Sequence, residues 1–215
     1  MAEPPLPVAI VGSGGFGREL AALLVSGRTD PRYELTAILD DDHARHGSLL
    51  SGVKVSGPTS VVRNSGDLVI IAVGNPRHRE IRRQVKTRLD LPDDRYGRIV
   101  ATDAYVGVGC VIGVGTVLMP GVVCTTDVVI GSHTNIMPNS TLTHDVRVGD
   151  YVAIGAGVQL AGGVAIGDGA FIGSGALVRE GVRVGAGSLV GIGSVVLHDV
   201  PDGEVWAGSP ARRLR

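Results

Sequence analysis

"VAIGDGAFIGSGALV", from Val164 to Val178, decides the fold. Ile166, Ile172 and Val178 stand six residues apart in it, and so do Val164, Ala170 and Ala176. A helix repeats its apolar face every 3.6 residues and a flat strand every two, so a strict period of six belongs to neither. It belongs to a parallel β-helix, in which short strands turn at corners and a small aliphatic residue fills each corner of a narrow prism.

Outward from this stretch, the first row begins at Val106 and continues through Ile112, Leu118, Cys124, Ile130, Ile136, Leu142, Val148, Ile154 and Leu160 to Val184, Val190 and Val196. Sixteen consecutive places hold fifteen aliphatics and one cysteine. The second row, four residues on, holds only Ser, Thr, Ala or Val from Thr116 to Val200, with Cys110 at its head. Composition agrees, because 33 glycines stand against only 3% aromatics in 215 residues. A core without large rings must take its buried area from small residues in a regular lattice.

Charge excludes several classes of partner. Lys and Arg total 20 against 21 Asp and Glu, a net charge of -1 that gives no footprint for nucleic acid or an anionic membrane. No run approaches the roughly 20 apolar residues of a membrane span, and "MAEPPLPVAIVG" lacks the features of a signal peptide, so the chain reads as cytoplasmic. Cys110 and Cys124 offer neither a disulfide framework nor a metal-ligand spacing and read as structural.

The first half follows another pattern. "PVAIVG" reads as a buried strand, "SGGFG" as a glycine turn, "RELAALLVSG" as a helix and "YELTAILDDD" as a second strand ending in acids. "DLVIIAVGNP" reads as a third strand and "RHREIRRQVKTRL" as a charged surface helix. This alternation implies a small parallel sheet. Gly12, Gly14 and Gly17 fit G-x-G-x-x-G between strand and helix, where glycines let a phosphate approach backbone N–H groups. Alone, that motif would suggest a dinucleotide with Asp40 on the ribose. A half of about 95 residues is only one mononucleotide-binding unit, however, and no substrate domain for hydride chemistry follows it. The expected architecture is an α/β Rossmann-like subdomain over residues 1–95, followed by an all-β parallel β-helix over 96–215.

From about residue 100 the sequence resembles the hexapeptide-repeat acyltransferases, and "VWAGSPARRLR" is similar to their tail. The resemblance implies a left-handed β-helix with 18 residues per triangular coil. "GSGGFG", "LDDD" and "AVGNP" ahead of such a coil resemble the sialic-acid O-acyltransferases and nucleotide-amino-sugar N-acetyltransferases. That family likeness implies a nucleotide-sugar site at Gly12, Ser13, Gly14, Gly17, Asp40, Asp41, Gly74 and Asn75. It also implies acetyl-CoA as co-substrate, bound between subunits of a homotrimer along Gly162, Gly173 and Ser174, with Arg212 near its phosphates.

The 18-residue register then places "THDVRVGD" (Thr143–Asp150). Thr126, His144, Gly162, Glu180 and His198 stack in one column, and Asp127, Asp145, Gly163 and Gly181 in the next, so His144 and Asp145 face glycines one coil on. Acyl transfer from a thioester needs a base for the nucleophile's proton, and imidazole titrates near neutrality. The resemblance assigns that role to His144, with Asp145 fixing its tautomer. Close relatives often place Glu before this histidine and a second histidine nine residues after it, where this chain has Thr143 and Ala153. His133 lies at a different corner and could serve only across a subunit interface, and His198 reads as surface. A metal is not expected, since His133, His144 and His198 lack the close pair of a zinc version of this coil. Two readings remain: an acetyltransferase acting on a sugar amino or hydroxyl group, and a non-catalytic trimeric scaffold or nucleotide-binding module.

Overall fold

β1 (Leu6–Val11) is buried along its last four residues and lies between two parallel neighbours, β2 (Tyr33–Leu39) and β5 (Leu68–Ile71), which is why its sequence is an unbroken apolar run. The computed structural model describes residues 4–74 and 78–214. Beyond β2 the sheet continues through β4 (Val53–Gly57), also parallel, to β3 (Leu49–Leu50), which closes an antiparallel hairpin with β4. That hairpin was not legible in the sequence, because "SLLSGVKV" is too short and too exposed to show a period.

Helix α1 (Gly15–Val25) buries Leu20, Ala21, Leu23 and Leu24 and stops where Gly27, at φ +69°, turns its N–H back to Leu24 O. Helix α2 (Ile81–Leu89) buries Arg82, Val85 and Leu89 and presents the rest of its charge outward. Burial pushes the Arg82 guanidinium down to about 10, still above neutrality.

A second unit begins at Asp103, the first ending at Thr102. It is a left-handed parallel β-helix of two-residue strands, each pairing in parallel with the strand 18 residues on: Val123 with Thr141, Thr141 with Gln159, Gln159 with Leu177. Three sheets result, and each coil contributes one strand to each. The first row of the sequence pattern points inward: Leu142, Ile154, Leu160, Ile172 and Val178 are all at most 3% exposed. Hydroxyls that replace valine in the second row are satisfied. Thr134 Oγ1, for example, donates to Gly149 O at 2.9 Å and accepts from Val152 N–H at 3.0 Å.

The corners need a left-handed backbone once every six residues. Glycine supplies it on most coils, but from Asp127 to Tyr151 five successive corners use Asp127, His133, Asn139, Asp145 and Tyr151 at φ +53° to +63°. Non-glycine residues cost about 1–2 kcal/mol each in that region. The strain is therefore gathered into the stretch that contains His144.

Candidate active site

His144 and Asp145 occupy the corner that follows the strand Thr141–Leu142. His144 Nδ1 lies 2.9 Å from Asp145 Oδ2, with both side chains about two-thirds exposed. A carboxylate only accepts hydrogen bonds, so Nδ1 carries the proton and donates it to Asp145, leaving Nε2 with its lone pair as the basic nitrogen. Asp145 itself holds a left-handed backbone, at φ +63°.

The imidazole lies over Gly162, one coil on. A Cβ there would stand 2.4 Å from His144 Cε1 and 2.5 Å from Nε2. Gly162 is thus a vacancy that the ring requires. Gly163 differs: a Cβ would meet nothing within 4 Å, and its φ of +70° shows a turn requirement only. The slot read from two glycines is made by one.

Backbone donors also sort themselves here. The N–H of Gly163 is spent on His144 O at 2.9 Å. The N–H of Gly162 makes no hydrogen bond among the described residues. At the neighbouring corner the equivalent N–H groups of Ser132 and Asp150 are capped by the carboxylates of Asp150 (2.6 Å) and Asp168 (2.9 Å). The residue one coil on from Gly162 is the exposed Glu180, which makes no such cap, so the Gly162 N–H is left open to receive an oxyanion.

The other histidines sit apart. His133 is 2% exposed and stacks on Tyr151 at 5.1 Å with rings 10° from parallel, at a different corner from His144. Ala153 pairs between Asn135 and Phe171 on another sheet. Gly173 and Ser174 occupy a third corner, and Gly173 is dictated by packing, since a Cβ would come within 2.6 Å of Ile192 N. Arg212 lies on the closing hairpin strand Ala211–Arg213, donating to Ala211 O at 2.8 Å. Within one chain, Gly162 alone of the expected donor residues adjoins His144.

In the first unit, Asp40 ends β2 and reaches the glycine turn. Its Oδ2 accepts from Ser13 N–H at 2.8 Å and Ser13 Oγ at 2.5 Å, and its Oδ1 accepts from Asp42 N–H at 2.9 Å. Burial works against ionisation, but the Ser13 and Asp42 hydrogen bonds, with Arg45 nearby, hold the carboxyl below its usual range. Gly12 and Gly17 are packing glycines: a Cβ on Gly12 would meet Val73 Cγ1 at 2.6 Å, and one on Gly17 would meet Gly12 O at 2.0 Å. Gly14 faces open space and starts α1 with no side-chain cap. Gly74, past the end of β5, is exposed, and Asn75 lies outside the described residues.

Asp41 points elsewhere. It accepts from Thr59 N–H and Oγ1, both at 2.9 Å, and from Arg88 at 2.6 Å. These bonds hold its carboxyl below the usual range despite burial. The sequence reading missed Arg45, whose guanidinium donates to Ser13 O at 3.1 Å; a cation five residues after Asp40 carries no pattern of its own.

The Asp40 clamp has a pH signature. A carboxyl lowered on folding stabilises above its unfolded pKa, near 3.9, and that contribution is lost as pH falls through the lower folded value. Asp40→Asn is therefore expected to lower the urea midpoint at pH 7, with the gap from wild type narrowing below pH 4. An equal gap at both pH values would show that the clamp is not ionic.

No helix among the described residues is long and apolar enough to cross a membrane, and no cluster of three metal-ligating side chains occurs among them.

Comparison with known proteins adds the following. Residues 7–85 match the family described as PglD N-terminal domain. Residues 127–162 and 145–180 match the bacterial transferase hexapeptide of six repeats. The acetyltransferase domain of PglB from Neisseria gonorrhoeae FA1090 superposes with a TM-score of 0.83 at 32% identity, over 97% of this chain and 99% of that one. A mutant of perosamine N-acetyltransferase from Caulobacter crescentus, in complex with CoA and GDP-perosamine, gives 0.83 at 30% identity over 96% of each chain. UDP-N-acetylbacillosamine N-acetyltransferase from Bacillus subtilis (strain 168) is 37% identical over 119 residues, which span 52% of this chain and half the length of that protein.

Proposed function

The chain belongs to the hexapeptide-repeat sugar acetyltransferases that carry a PglD-type N-terminal domain, and on that premise we propose that it transfers acetyl from acetyl-CoA to an amino group of a nucleotide-linked sugar. The observation that carries the reading is His144, held by Asp145 over Gly162 beside an uncapped backbone N–H. The N-acetyltransferase relatives support nitrogen as the acceptor atom.

In this reading His144 Nε2 takes the proton as the acceptor amine attacks the thioester carbonyl. The new C–N bond leaves an oxyanion, which the Gly162 N–H receives. The C–S bond then breaks, and the imidazolium returns the proton to the departing thiolate, so that the products are the acetamido sugar and CoA thiol. Asp145 is a positioning residue, holding Nδ1–H and stabilising the imidazolium. The Ser13–Gly14 turn, tied to Asp40 and Arg45, binds the nucleotide's phosphates, with Gly12 and Gly17 shaping the turn and Gly74 flanking it. The protein acts as a cytoplasmic homotrimer, in which Gly173, Ser174 and Arg212 of a neighbouring copy complete the donor cleft facing His144.

The test is thiol release from acetyl-CoA in the presence of UDP- and GDP-linked amino sugars. Acceptor-dependent release with at least one of them is expected. Release no faster than hydrolysis with every amino and hydroxyl acceptor would leave a binding module or scaffold instead.

A further inference from the structure

His144, Gly162 and Glu180 form one column at the corner of the coil, each two places past Leu142, Leu160 and Val178, which pair in parallel register. Adjacent strands lie about 4.8 Å apart, so the Glu180 backbone stands about 10 Å along the coil from that of His144. The imidazole occupies the level between them, since a Cβ on Gly162 would be 2.5 Å from Nε2. The basic nitrogen is therefore about one strand spacing, roughly 4.8 Å, from the level of Glu180, with no side chain between. Four carboxylates stand at this corner. Asp127 lies 3.3 Å from Thr126 Oγ1, Asp145 holds His144 Nδ1, and Asp199 accepts from Arg183 N–H at 2.8 Å. Glu180 is exposed, and among the described residues its carboxylate has no hydrogen bond or ion pair. The Arg183 guanidinium lies instead with Asp202.

We propose that Glu180 is a further catalytic residue, whose carboxylate accepts the second hydrogen of the attacking amine while His144 Nε2 takes the first. The inference rests on the acetyl-transfer reading and adds to it how the site selects nitrogen over oxygen. A primary amine whose lone pair faces the thioester carbon has two N–H bonds left, diverging at about the tetrahedral angle. Acceptors about 2.9 Å along each of them stand about 5 Å apart. That matches the step from Nε2 to the level of Glu180, and a glutamate side chain, about 5 Å from Cα to carboxylate oxygen, has the reach to set an acceptor there. Attack makes the nitrogen cationic until Nε2 removes one proton, and an ionised carboxylate on the other N–H stabilises that charge. The C–N bond forms, the C–S bond breaks, the proton on His144 passes to the thiolate, and the product amide keeps its remaining N–H on Glu180. A hydroxyl has one hydrogen, which Nε2 takes. It leaves the carboxylate unmatched beside the growing oxyanion, a repulsion that disfavours oxygen acceptors.

Glu180→Gln in the full chain tests this, measured with whichever UDP- or GDP-linked amino sugar the wild type acetylates. The variant is expected to lose ten- to a hundredfold in kcat/KM for that acceptor, as removal of one charged hydrogen bond would do. Its Kd for CoA and its slow hydrolysis of acetyl-CoA without acceptor should each move less than twofold, because neither involves an amine. A disturbance of the coil would move all three together. An acceptor kcat/KM within threefold of wild type, or equal losses in all three measurements, would overturn the role of Glu180 while leaving acetyl transfer standing. A wild type that acetylates none of the amino sugars would refute the acetyl-transfer reading, and this assignment with it.

Discussion

His144→Ala lowers kcat by about 10²–10⁴-fold, the usual worth of a positioned general base, while the thermal melting temperature stays within a few degrees of wild type. The side chain is about two-thirds exposed and, among the described residues, its one side-chain hydrogen bond is to Asp145, so the coil loses little on its removal. Asp145→Asn should lose less, because an amide can still accept from Nδ1–H but cannot stabilise the imidazolium. A turnover within threefold of wild type in His144→Ala would remove the histidine from the mechanism.

Gly162→Ala should cost kcat at least 10²-fold with almost no loss of stability, an unusual pairing for a glycine in a repeat fold. Its backbone is not in the left-handed region, so alanine meets no conformational penalty. The added methyl collides only with the exposed imidazole, at 2.4 Å from Cε1, and a flexible side chain yields before the coil does. Displacing the ring breaks its alignment with both Asp145 and the Gly162 N–H. Gly107→Ala is the control: its Cβ would stand 1.6 Å from Thr125 O, a backbone atom that cannot yield, so stability should fall instead. Activity measured beside circular-dichroism melting separates the two. If Gly162→Ala kept full activity, the slot would have no catalytic meaning.

The coil was legible because its physics is one-dimensional: each turn meets only its neighbours, so the period in sequence is the period in space. Rows of six fixed which side chains point inward, and the 18-residue register put His144 over Gly162 before any coordinates. What the register could not supply was the use of each polar group. That Gly163 serves the turn, that its N–H is spent on His144 O, and that Asp carboxylates cap the equivalent donors at the next corner depend on atoms rather than columns. In the first unit, the acids "LDDD" were visible as a group, but their division was not. Asp40 closes the glycine turn and Asp41 ties Thr59 to Arg88, because alternate residues past a strand end face opposite ways.

The 18-residue turn also makes the second unit an addressing system. Dividing a residue's offset by 18 gives its height, and the remainder gives its corner. Removing one whole turn between Gly162 and Val196 would lower Val196 by one strand spacing, about 4.8 Å, and leave every corner where it was. Removing six residues would instead rotate all that follows by a third of a turn and carry Val196 to a different corner from Leu142 and His144. Chains built this way can change the length of the cleft in whole steps while the reacting corner stays fixed, a graduated scale on which evolution can move one mark at a time.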